Sequence, residues 1–204
     1  MIKAVLFDYG GVLSPGGLAG CVPRSIARLY GVNISDLSGD TDLLRRAARG
    51  QISEEEYFAE LNQRHPDGPR LNLQSYLAAQ DIFERSEPVY ELAGRLREAG
   101  IRTGILSNIN DIAANELKRR GFYDGFDPLI LSYKEKMAKP DPQFYQLAID
   151  RLGLHPDEVI FIDDQERCRQ PAEALGMHFV LAVSPQQIVQ DVTTILGKEN
   201  NLNV

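Results

Sequence analysis

Short apolar runs alternate with stretches of helical periodicity along most of this chain. The runs lie at residues 2–7, 101–106, 129–131, 159–162 and 177–183, and helical patterns fill 88–98, 112–120, 142–152, 167–175 and 186–196. The first run is continuously apolar after Lys3, the pattern of a strand buried on both faces of a sheet. The 88–98 pattern closes on Gly100 before the second run begins, the order of helix, glycine cap and strand. Such alternation predicts an α/β fold with a doubly wound, Rossmann-like parallel sheet.

The stretch from 14 to 86 breaks the alternation. It shows helical periodicity and no convincing strand, with "PRSIARLYG" and "DLLRRAARG" each closed by a glycine. In "SEEEYFAELNQRH", Ser53 can cap a helix and Glu56, three residues on, can complete a capping box, while Tyr57, Phe58 and Leu61 supply an apolar face. The expected organisation is an α/β core of 1–14 and 88–204 carrying an all-helical insertion over 15–87. An insertion placed after the first strand sits over the strand ends, where open α/β sheets bind ligands. The tail "GKENNLNV" is expected to fray.

Composition narrows the function classes. At 204 residues, 43% hydrophobic and 25% charged, the chain is an ordinary globular sequence with no apolar stretch near the roughly 18 residues of a membrane span. The first residues lack the features of a signal peptide, so a cytoplasmic protein is expected. Cys21 and Cys168 are too few for a disulfide framework or a zinc site. A net charge of -7 without a basic run argues against nucleic acid as partner, whereas a small anion can still find a locally positive pocket. Either a monomer or a homodimer is compatible with all of this.

Polar groups stand at the carboxyl ends of the predicted strands or in the loop just after one. They are Asp8, Ser107 with Asn108, Lys139, and Asp163 with Asp164. In a parallel sheet these ends share one edge, so groups remote in sequence can converge. Singly, Asp8 reads as a turn residue, Ser107–Asn108 as a helix cap and Lys139 as a surface charge. Asp163–Asp164 resists such a reading, because adjacent carboxylates at a buried strand end repel unless a cation neutralises them. Four coincident bland readings carry less weight than one shared site.

"FDYGGVL", "ILSN", "KMAKPDPQFYQLAI" and "VIFIDD", in this order and spacing, resemble the four motifs of the haloacid dehalogenase-like hydrolases, specifically the subfamily with a helical cap inserted after the first motif. The resemblance spans essentially the whole chain. It implies a phosphatase-like hydrolase in which Asp8 is the nucleophile, Ser107 holds a phosphate oxygen and Lys139 neutralises the reacting groups. Asn108, Tyr9 and Gly10 would join Ser107 and Lys139 around the phosphate. Asp8, Asp163, Asp164 and the Gly10 carbonyl would bind Mg²⁺. The physics agrees: a carboxylate approaching a phosphate dianion needs positive charge on the reacting oxygens, and hard oxygen ligands suit Mg²⁺. The implied partner is a small phosphorylated metabolite, a sugar phosphate among the candidates.

Two positions depart from the family pattern. Most of its phosphatases carry an aspartate two residues after the nucleophile as general acid and base; here that position is Gly10. Such help is worth about 10² to 10⁴ in rate. Three readings follow: a phosphatase for good leaving groups, a 2-haloacid dehalogenase, or a phospho-ligand-binding protein with little turnover. The paired Asp163–Asp164 weighs against the dehalogenase, whose family members need no metal. The second departure is Cys168, where relatives commonly have asparagine; it is expected to pack as a small side chain. Arg45, Arg46 and Arg49 read as a solvated helix face, Tyr57 and Phe58 as core of the insertion, and His65, His155 and His178 as structural.

Overall fold

The computed structural model describes residues 1–15, 27, 29, 31, 41–78 and 84–202. Five strands, β1 (Ala4–Phe7), β2 (Arg102–Ser107), β3 (Leu129–Leu131), β4 (Val159–Asp163) and β5 (His178–Leu181), form one sheet in the order β3-β2-β1-β4-β5. Every pairing is parallel, with Phe7 opposite Ile105 on one side and Ile162 on the other. This is the doubly wound α/β arrangement expected from the alternation, and β1 and β4 are the strands at which the order reverses.

Nine helices among the described residues are numbered here α1 (Thr41–Ala48), α2 (Glu54–Arg64), α3 (Leu73–Ala78), α4 (Glu87–Glu98), α5 (Asp111–Arg119), α6 (Ser132–Glu135), α7 (Pro142–Leu152), α8 (Arg169–Leu175) and α9 (Pro185–Asn200). Alternate residues of each strand face opposite helical layers. Val5 and Phe7 of β1 and Ile160 and Ile162 of β4 pack with α4, α5 and α9. Ala4, Leu6, Val159 and Phe161 pack with α7 and α8. Burial on both faces is why these strands read as unbroken apolar runs.

Between β1 and α4, helices α1 and α2 gather a separate cluster of Leu43, Ala47, Tyr57, Phe58 and Leu61, joined by Ile112 of α5. The capping box at α2 forms as expected: Glu56 N–H donates to Ser53 Oγ at 3.2 Å and Ser53 N–H to a Glu56 carboxylate oxygen at 2.7 Å. Cys21 and most of "PRSIARLYG" lie outside the described residues. Cys168 is buried against the apolar layer under α7 and α8.

Two local expectations are corrected. The residues from 197 to 200 do not fray but continue α9, because the Asn200 side chain clamps the start of the sheet: Ile2 N–H donates to Asn200 Oδ1 and Asn200 Nδ2 donates to Ile2 O, each at 2.7 Å. Arg46 is not a purely solvated charge, since it forks onto Glu60 of α2 at 2.9 and 3.0 Å and so ties α1 to α2. Arg45 and Arg49 are exposed.

Candidate active site

Asp8 directly follows β1, and its backbone N–H donates to Ile162 O of β4 at 2.9 Å, so the carboxyl group emerges beside that of Asp163. The chain then turns at once. Ser14 N–H donates to Tyr9 O and Gly11 N–H to Ser14 O, both at 2.9 Å, a bridge that leaves the Gly10 carbonyl out of the turn. Gly11 takes a φ of +78°, which L side chains rarely adopt, and a Cβ there would fall 2.6 Å from Asp164 Cγ. The second glycine is therefore what lets the turn pass against the Asp164 carboxyl group.

Lys139 reaches the same edge from the loop before α7. Its ammonium lies 2.9 Å from Asp8 Oδ1 and 2.6 Å from Asp163 Oδ2, with all three side chains buried. The loop is held from below by Asn108, which accepts Lys139 N–H at 2.8 Å and donates to Lys139 O at 2.8 Å. Asp163 Oδ1 accepts Gln165 N–H at 2.8 Å. Asp8, Asp163 and Asp164 each offer an oxygen within 4.8 Å of the others.

The electrostatics follow from removing these charges from water. Burial pushes the Asp8 carboxyl up to about 6, with Lys139 pulling it down and Asp163 pushing it further up. Burial opposes the Lys139 charge, but Asp163 and Asp8 together hold that ammonium above the ordinary lysine range. Asp164 is raised, first by burial and then by Asp163. Among the described residues, one cation thus faces three carboxyl groups.

Buried polar atoms left without hydrogen bonds among the described residues include Ser107 Oγ at the end of β2 and Asp164 Oδ1, both at this edge. Ser107 exerts a slight downward pull on Asp8, yet its hydroxyl has no partner of normal geometry. A buried donor or acceptor left unmade costs about 1–3 kcal/mol, so two at one place mark a site built for something further.

Of the residues singled out in the sequence, Asp8, Ser107, Lys139, Asp163 and Asp164 stand at this edge with the Gly10 turn beside them. Asn108 is drawn into the structure of the Lys139 loop. Tyr9 is turned away: its side chain is fully buried and meets the Tyr123 ring edge-on at 6.0 Å between centroids, and its N–H is donated to Asp8 Oδ1 at 2.7 Å. The cap of α5 is Asn110, which accepts Ala113 N–H at 2.9 Å, rather than Ser107 or Asn108. Ser132 also follows a strand directly, the same signal that singles out Asp8.

A family model described as haloacid dehalogenase-like hydrolase matches residues 2–176. Acyl-CoA dehydrogenase family member 10 of Mus musculus is 26% identical over 99% of this chain and 20% of its own length. Bifunctional epoxide hydrolase 2 of Sus scrofa is 27% identical over 96% of this chain and 39% of its own length. The chain therefore spans from a fifth to two fifths of these curated relatives. Among solved structures, a HAD family enzyme from Bacteroides thetaiotaomicron in complex with magnesium and inorganic phosphate is 25% identical, with a TM-score of 0.75 over 90% of this chain and 96% of that one.

Proposed function

The chain belongs to the haloacid dehalogenase-like hydrolases, and on that premise we propose that it is a Mg²⁺-dependent phosphatase-like enzyme for small phosphomonoesters, with Asp8 as nucleophile. The observation that carries this reading is the pairing of a strand edge where, among the described residues, three carboxyl groups share one lysine, with the unsatisfied buried oxygens Asp164 Oδ1 and Ser107 Oγ. The solved relative with magnesium and inorganic phosphate supports it.

The residues present fit Mg²⁺. Asp8, Asp163 and Asp164 are hard oxygen donors, the Asp164 oxygen lacks a partner, and the Gly10 carbonyl is free of the turn's bridge. When bound, the ion would add positive charge to the phosphoryl oxygens and to the nucleophile. Tyr9 N–H and Lys139 both engage Asp8 Oδ1, which leaves Oδ2 as the attacking oxygen. Ser107 Oγ donates to a phosphoryl oxygen and so gains its missing hydrogen bond. Attack by Oδ2 forms the bond to phosphorus and breaks the ester P–O bond, and the alcohol takes its proton from solvent because Gly10 has none to give. Water then attacks phosphorus and breaks its bond to Asp8 Oδ2, passing a proton to solvent, which releases inorganic phosphate and restores the carboxylate.

A second reading is favoured by Gly10 itself: a phospho-ligand-binding protein with little turnover, since the usual acid–base side chain is absent. One experiment separates the two. Wild type and Asp8→Asn are assayed with a panel of phosphorylated metabolites and p-nitrophenyl phosphate, with and without Mg²⁺, alongside 2-haloacids. Mg²⁺-dependent phosphate release abolished by Asp8→Asn is the expected result. Release that survives the substitution removes Asp8 as nucleophile; phosphate binding without release favours the binding protein; halide release without metal overturns both.

A further inference from the structure

Ser132 is fully buried at the junction of β3 and α6, and its hydroxyl joins two parts of the chain that sequence keeps far apart. Its Oγ accepts Ile109 N–H at 2.9 Å, in the loop that follows Ser107 and Asn108. The same oxygen lies 2.5 Å from Ala48 O at the C-terminus of α1, against 3.2 Å from Ile109 O, so its single proton goes to Ala48. That carbonyl is one of the four a helix leaves unsatisfied at its end.

Two neighbouring contacts make the docking of α1 specific. Lys136, itself at a φ of +57°, donates its ammonium to Gly50 O. Gly50 sits at a φ of +58°, and a Cβ there would collide with the Tyr133 carbonyl oxygen and come 2.7 Å from Lys136 Nζ, so only glycine lets the two backbones approach. Close by in the chain, Ile112 is buried in the cluster formed by α1 and α2.

We propose that Ser132 is a positioning residue that couples the seating of α1 to the backbone of the Ser107–Asn108 loop. With α1 docked, the hydroxyl proton is committed to Ala48 O and the oxygen lone pairs hold Ile109 N–H. With α1 lifted, the hydroxyl loses Ala48 O and opens to water, so its hold on Ile109 N–H loosens, and with it the strand end that carries Ser107. Binding at the strand edge and seating of α1 then favour one another, because both draw on the same contact.

The link to phosphate rests on the function proposed above; the mechanical coupling does not, and the test separates them. Amide hydrogen exchange is followed in wild type, Ser132→Ala, Gly50→Ala and Lys136→Met. Gly50→Ala disturbs the contact from the α1 side alone, yet it should speed exchange at Ile109 at least tenfold, as should Ser132→Ala. Faster exchange confined to 45–50, or no change in either place, overturns the coupling. If Ser132→Ala fails to fold, Gly50→Ala and Lys136→Met decide. The inhibition constant of inorganic phosphate against p-nitrophenyl phosphate hydrolysis should rise at least tenfold in Gly50→Ala, whereas an unchanged constant overturns the functional link. A wild type that binds no phosphate removes the phosphatase reading and leaves the exchange result to decide the coupling.

Discussion

Lys139 Nζ lies 2.6 Å from Asp163 Oδ2, and neither side chain is more than 1% exposed. A buried pair of this kind contributes little net stability compared with apolar residues of the same shape, because desolvation offsets the attraction. Breaking it is another matter. Lys139→Met would leave Asp8 and Asp163 buried with no cation, and a loss of about 3–5 kcal/mol is expected in urea denaturation with chelator present. Lys139→Met/Asp163→Asn should recover part of that loss, and a double variant no more stable than the single one would show that the pair is not what the single variant breaks.

Gly11→Ala should act on the proposed metal site through a backbone position. A Cβ at φ +78° carries strain, and it would occupy the space of the Asp164 carboxyl group. The expected outcome is a fall in Mg²⁺ affinity of at least tenfold, read by titration calorimetry, with a stability cost of about 1–3 kcal/mol. Unchanged Mg²⁺ affinity would mean that Asp164 is not a ligand.

Gly10 has a different substitution logic. It is not among the glycines at positive φ, so an aspartate there meets no backbone strain of that kind. Gly10→Asp should raise kcat/KM for alkyl phosphates by up to about 10² to 10⁴, the usual worth of general acid–base help. Turnover of p-nitrophenyl phosphate, whose leaving group needs no proton, should change far less. No gain while Mg²⁺ still binds would favour the binding-protein reading.

Glu116 gives a stability signal with a defined pH window. Its hydrogen bonds with Arg119 and then Arg120 lower its carboxyl from 4.5 to about 2. A depressed folded-state value means that the stabilisation is present above 4.5 and is lost as pH falls towards 2. The arginines are 69% and 38% exposed, so solvent screening holds the effect to about 1 kcal/mol. Urea midpoints of wild type and Glu116→Gln should differ at pH 7 and converge by pH 2; a constant gap would mean that ionisation of Glu116 is not responsible.

Much of the fold is legible in the residues because each strand is buried on both sides. Val5 and Phe7 face one helical layer and Ala4 and Leu6 the other, so "AVLF" has to be apolar throughout and reads as a strand. Capping is legible for the same local reason: the Ser53–Glu56 box needs only groups within one turn of helix. The gathering of Asp8, Ser107, Lys139 and Asp163 is inferable once strands are parallel, since the ends of parallel strands share an edge. The departure of α9 from the expected fraying was not legible, because its last residue is secured by Ile2, 198 positions away.

From sequence alone come the α/β class, the polar strand ends and the absence of an aspartate at position 10, all carried by residue type and local spacing. Tertiary structure assigned the partners. It turned Tyr9 inward against Tyr123, gave Asn108 to the Lys139 loop, placed Gly11 against Asp164 and hung the end of α1 on Ser132. Each of these depends on which of several polar or aromatic groups lies within hydrogen-bonding or van der Waals reach once the layers have packed. That distance is a property of the folded chain and has no counterpart in local periodicity.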